Sequence, residues 1–151
     1  MANKDVIGIL NRLVETSKDG EYGFRTAAEH LQSMETKRLF TARAEECRRA
    51  ASELQALVME LGGSAEEGGT ATGAIHRGWV AVKSTLAGYN DLAILEEAER
   101  GEDVALSRYK DALEESLPLS VRALVQRQFE GVHRNHGLVR ALRDQERTVR
   151  A

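Results

Sequence analysis

The chain is poor in the residues that mark most other fold classes. It has one proline, one cysteine and one tryptophan, with three phenylalanines and three tyrosines, in 151 residues. One cysteine, Cys47, rules out an internal disulfide framework. Scarce proline and aromatics, with abundant Ala, Leu, Glu and Arg, argue for an all-helical protein rather than a sheet. No apolar run approaches the roughly 20 residues of a membrane span, and the opening Met-Ala-Asn-Lys-Asp turns amphipathic at once, unlike a signal peptide. A net charge of −3 lacks the basic surplus of a nucleic-acid binder. These absences leave a soluble cytoplasmic protein with neither nucleic acid nor membrane as partner, in a single domain over 1–151.

Four amphipathic helices are predicted. Helix 1 runs from about Lys4 to Leu31, with Asn3 as its N-cap. Helix 2 follows a short turn at Ser33–Glu35 and runs to Leu61, where Gly62-Gly63 stops it. Helix 3 opens on Asn90 and ends near Ser116. Pro118 falls in the first turn of helix 4, which reaches about Arg147. The arginines that close the chain, Arg140, Arg143, Arg147 and Arg150, are what the helix dipole favours at a C-terminus. The short links pair helix 1 with 2 and helix 3 with 4 as antiparallel hairpins. The link of about 27 residues between helices 2 and 3 is long enough to cross the bundle, and carries a short helix over Ile75–Leu86. One long crossover between two hairpins is the ferritin-like arrangement of an antiparallel four-helix bundle. The apolar face of the short helix, Ile75, Trp79, Val82 and Leu86, is expected to cover a bundle edge or to join a homodimer.

The informative irregularity lies in helix 3. Leu92, Leu95, Glu99, Glu102, Leu106, Tyr109 and Leu113 step three and four apart, as the apolar seam of a bundle helix does. Glu99 and Glu102 occupy its middle and have no Lys or Arg at the i±3 or i±4 positions that support an exposed carboxylate. A lone buried carboxylate is very costly, so each needs a partner from another helix, a proton or a metal ion. Glu21 lies mid-seam on helix 1 with Arg25 four residues on. Glu46 flanks the seam of helix 2 next to Cys47. His136 lies on the apolar stripe of helix 4. Gly101, between the two glutamates, can mark the close approach of another backbone. The Glu130–His133 pair has Glu-x-x-His spacing but points away from the stripe. Gly62-Gly63 and Gly68-Gly69 are no phosphate loop, lacking a flanking strand and a following Gly-Lys-Ser/Thr. No catalytic triad is legible.

Asp19-Gly-Glu-Tyr-Gly-Phe-Arg-Thr-Ala-Ala28, Leu61-Gly-Gly63, Ile75-His-Arg-Gly-Trp79, Leu95-Glu-Glu-Ala-Glu-Arg-Gly-Glu-Asp-Val-Ala105 and Asn135-His-Gly-Leu-Val-Arg-Ala-Leu-Arg-Asp144 carry a resemblance. Together they resemble a bacterial family of ferritin-like four-helix bundles described as a domain of unknown function. The resemblance implies the fold and no settled activity. Di-iron members of the wider class take a Glu from each of two helices and Glu-x-x-His from each of the others. Here Glu21 fits a lone-Glu position, but Glu46-Cys-Arg-Arg49 has arginine where histidine is needed, and arginine cannot ligate a metal. Two readings stand. In the first, the protein is a non-catalytic structural or interaction protein with a buried Glu/His/Arg cluster, Arg49, Arg25 and His136 pairing with the carboxylates. In the alternative, Glu21, Glu46, Glu99, Glu102 and His136 converge on iron, manganese or zinc, with a redox or stress-related role.

Overall fold

The computed structural model describes residues 2–65, 78–80, 82 and 90–150. Four helices make up the bundle: α1 (Asn3–His30), α2 (Met34–Glu60), α3 (Asp91–Leu113) and α4 (Leu119–Arg150). The boundaries follow local chemistry. Ser33 caps α2, its side chain accepting from Thr36 N–H, and Asn90 caps α3 by accepting from Ala93 N–H. At the end of α2, Gly63 N–H donates to Val58 C=O and Gly62 N–H to Met59 C=O. This is a Schellman closure, and Gly62 takes the left-handed φ of 84° that it requires.

Three expected boundaries move. Asn3 is the first residue of α1, with Ala2 at the cap. Pro118 precedes α4 rather than entering it, its carbonyl accepting from Arg122 N–H. α3 stops at Leu113, because the chain turns through Glu114 and Glu115 to bring Leu117 into the core.

α1 packs along α2 and α3, and α3 along α4, whereas α2 and α4 make few contacts. The bundle is therefore closed on the α1–α3 side and opens between α2 and α4. The two hairpins are stitched at one end by Asp91, whose carboxylate accepts from the backbone N–H groups of Gln32 (2.8 Å) and Ser33 (3.0 Å) in the α1–α2 turn. α2 and α3 are joined by residues 61–90, the long connection expected of a ferritin-like bundle. Helical backbone is present at 78–80 and 82 within it. Trp79 is buried in the same apolar cluster as Phe24, Phe40 and Ile94, so the short helix covers the bundle through this residue. Ile75, His76, Leu86 and Gly68-Gly69 lie outside the described residues.

The core has two apolar clusters. One gathers Val6, Leu10, Leu54, Val58, Val121 and Val125. The other gathers Phe24, Phe40, Ala44, Ile94, Leu95 and Val139, with Phe24 and Phe40 in edge-to-face contact at 5.1 Å. Between them every helix places polar residues on its inward face: Thr16 and Ser17, Arg43, Glu102, Gln128 and His136 are all buried. Where α1 crosses this polar waist, Gly20 lets α2 come close, because a Cβ there would sit 2.9 Å from Cys47 Sγ. Gly101 serves no such approach: a Cβ on it would meet no described atom within 4 Å.

Candidate functional site

The waist is built around Glu102, which is 2% exposed. α3 carries it inward because its buried positions are Asp91, Ile94, Leu95, Ala98, Glu102, Tyr109 and Ala112. This stripe is rotated from the predicted seam, and Glu99 lies at its edge. Both glutamates find partners on other helices. The Glu102 carboxylate stands 3.8 Å from the Arg43 guanidinium of α2 and accepts from Asn135 Nδ2 of α4 at 3.2 Å. Burial pushes its carboxyl above the usual carboxylate range, with Arg43 and Asn135 pulling the other way. Glu99 is held at the α3–α4 edge by Arg140 (3.3 Å) and by a close pair with Arg143. Arg147 pairs with Glu96 at 2.8 Å. These arginines therefore form a ladder between two helices, beyond what the dipole of their own helix explains.

Arg43 is the residue the sequence reasoning missed. It is 8% exposed, donates to Glu46 at 3.1 Å, and lies over the Phe24 ring at 5.9 Å. Desolvation opposes its charge, but the carboxylates of Glu102 and Glu46 outweigh it and hold the guanidinium protonated. The arginine expected beside the carboxylates, Arg49, is exposed instead. Three residues after Phe40 and four before Cys47, Arg43 has the seam's own spacing; Arg49 is two past Cys47 and turns outward.

The other candidate residues are held apart. Glu21 pairs with Arg25 at 2.9 Å. Glu46 is exposed and reaches the waist only through Arg43. His136 Nε2 bonds Asp103 at 2.5 Å. Glu130 and His133 are exposed, as their orientation in the sequence suggests. Among the described residues no three His, Cys, Asp or Glu side chains form a group able to hold a metal ion. Each of the five proposed ligands has a partner of its own, and a fixed cation lies beside Glu102. This donor set does not fit a divalent metal.

A second chain of polar contacts runs across the waist. The Tyr109 hydroxyl, pushed up by burial, donates to Gln128 Oε1 at 2.8 Å and lies 3.3 Å from Ser17 Oγ. Gln128 Nε2 in turn donates to Ala50 C=O at 3.3 Å and Glu53 at 3.2 Å. The link from α3 through α4 to α2 satisfies groups that are costly to bury alone.

Fold and connectivity define a ferritin-like four-helix bundle. The chain belongs to the family described as a domain of unknown function (DUF2383), whose model matches residues 5–115. Among solved structures it is similar to a point mutant of Mycobacterium smegmatis Dps1, with a TM-score of 0.77 and 18% identity, over 94% of this chain and 97% of that one. At that identity the likeness speaks for the fold. No curated protein matches the sequence. No helix among the described residues is long and apolar enough to cross a membrane.

Proposed function

We propose that the protein is a non-catalytic structural or interaction protein, in which an internal guanidinium takes the central place of the ferritin-like bundle. One observation carries the reading: Arg43, buried and protonated, lies beside Glu102 in the middle of the bundle. Its fixed positive charge neutralises the carboxylate and repels a second cation. The alternative, a bundle binding iron, manganese or zinc, requires Glu21, Glu46, Glu99, Glu102 and His136 to leave their present partners. Assembly into a homodimer in the bacterial cytoplasm belongs to the same proposal, supported by the exposed Val80 beside the buried Trp79. Light scattering checks it, and a monomer mass rejects that part.

Thermal melting of metal-free protein tests the central claim. Added iron(II), manganese(II) or zinc(II) at stoichiometric concentration is expected to leave Tm unchanged, since a ligand without a site on the native state adds no linkage stabilisation. A saturable rise in Tm that vanishes in Glu102→Gln overturns the proposal in favour of the metal reading. The pH dependence is a second expected outcome. Glu102 has a folded-state pKa raised above its unfolded value, so the native state holds this proton more tightly. The stability Glu102 contributes is full below the ordinary carboxylate range and is lost as pH rises through its raised value. Glu102→Gln has no proton to lose, and urea titrations across this range are expected to show that fall in the wild type alone.

A further inference from the structure

The sparse contact between α2 and α4 leaves a cleft of about 650 Å³ down to the waist, a volume typical of small-molecule sites. Among the described residues its lining contains five arginines and three glutamates and no lysine, aspartate or histidine, a surplus of two positive charges. The chain as a whole carries a net charge of −3, so this positive concentration runs against the protein's overall sign. The three glutamates have partners: Arg127 pairs with Glu53, and Arg43 serves Glu46 and Glu102. Arg48 is held by Glu45, at the edge of the cleft.

Two guanidiniums remain. Arg49 on the α2 wall and Arg134 on the α4 wall have no ion pair or hydrogen bond among the described residues, though both line the cleft. Arg43 also lines the cleft and adds its charge at the floor, its Nε being buried with no hydrogen-bond partner among the described residues. Between the arginines, Ala50, Ala105 and Val132 give the cleft apolar surface for a carbon skeleton.

We propose that this cleft binds a small organic anion with two or more phosphate or carboxylate groups. Guanidinium groups recognise both groups through paired N–H donors, and arginines on opposite walls match a ligand charged at more than one point. The site is independent of the Arg43–Glu102 pairing as a structural device: Arg49 and Arg134 are exposed, and their removal leaves the waist intact.

Isothermal titration at low ionic strength, with pyrophosphate and citrate as separate probes, tests the proposal. At least one probe is expected to bind saturably at one per chain. The double variant Arg49→Gln/Arg134→Gln is expected to weaken it on the order of tenfold or more. Arg38→Gln, an exposed arginine of α2 outside the cleft, is expected to bind like the wild type. The tighter probe identifies phosphate or carboxylate as the recognised group. Absence of binding by both probes at millimolar concentration overturns the site. So does an equal loss in Arg38→Gln, which would reveal only attraction between a dissolved anion and scattered surface charge.

Discussion

Replacing Arg43 by methionine is expected to lower the stability of the protein by about 3–5 kcal/mol at neutral pH, the cost typical of removing one partner of a buried ion pair. Methionine fills much of the same space, so the loss is chiefly electrostatic. Glu102 would be left in the waist with Asn135 alone, and its carboxyl would rise further above the ordinary range because the main opposing influence is gone. Two companion measurements separate this from a packing defect. The deficit should shrink as pH falls and Glu102 takes up a proton, since the neutral carboxyl no longer needs the guanidinium. It should also shrink when Glu102→Gln is added, giving a coupling energy in the double-mutant cycle. An Arg43→Met protein within about 0.5 kcal/mol of the wild type in urea unfolding would show that the Arg43 charge does not hold the waist together.

A loss of similar size, about 3–5 kcal/mol, is expected for Trp79→Ala. The indole is 4% exposed and shares a cluster with Phe24, Phe40 and Ile94, so alanine would open a large cavity on the closed side of the bundle. The chain is also held locally: a Cβ on Gly23 would lie 3.5 Å from Trp79 Nε1, and one on Gly78 would collide with the Glu97–Arg100 pair. Trp79 thus anchors the crossover to α1 and α3. Trp79→Phe, which keeps an aromatic ring in the pocket, is expected to retain most of the stability. Thermal melts of the two variants check this, and equal losses would show that the cluster does not depend on ring packing.

The fold was legible because it rests on repeated signals. Each helix has many periodic positions, and the long 61–90 link leaves little choice of topology. The waist was legible in part. Glu102 announced itself through seam spacing and the lack of a local cation. Glu99 shares both features, but the buried stripe centres on Ala98 and Glu102, and a helix step of about 100° puts Glu99 at the edge, within reach of Arg140 and Arg143. Arg43 stayed hidden because an arginine inside an apolar pattern reads as a solvated neighbour of Glu46. Only assembly of the bundle, which brings its side chain to Glu102 of α3 across the interior, makes it a buried counter-ion. Gly20 was equally silent, its role being set by Cys47 on another helix. The cleft leaves no trace in any one helix, since it lies in the gap between helices that make few contacts.

The placement of Cys47 has a kinetic consequence. Its thiol is 5% exposed, pressed against Gly20, and pushed up to about 12 by burial, with the Arg43 charge opposing. Only the thiolate attacks electrophiles, and in the closed bundle at neutral pH almost none is present. Once α1 and α2 part, the same sulfur regains ordinary acidity and access to solvent. The rate at which a thiol reagent consumes the chain's one cysteine therefore counts openings of the waist around it, giving the protein a built-in clock for that local unfolding.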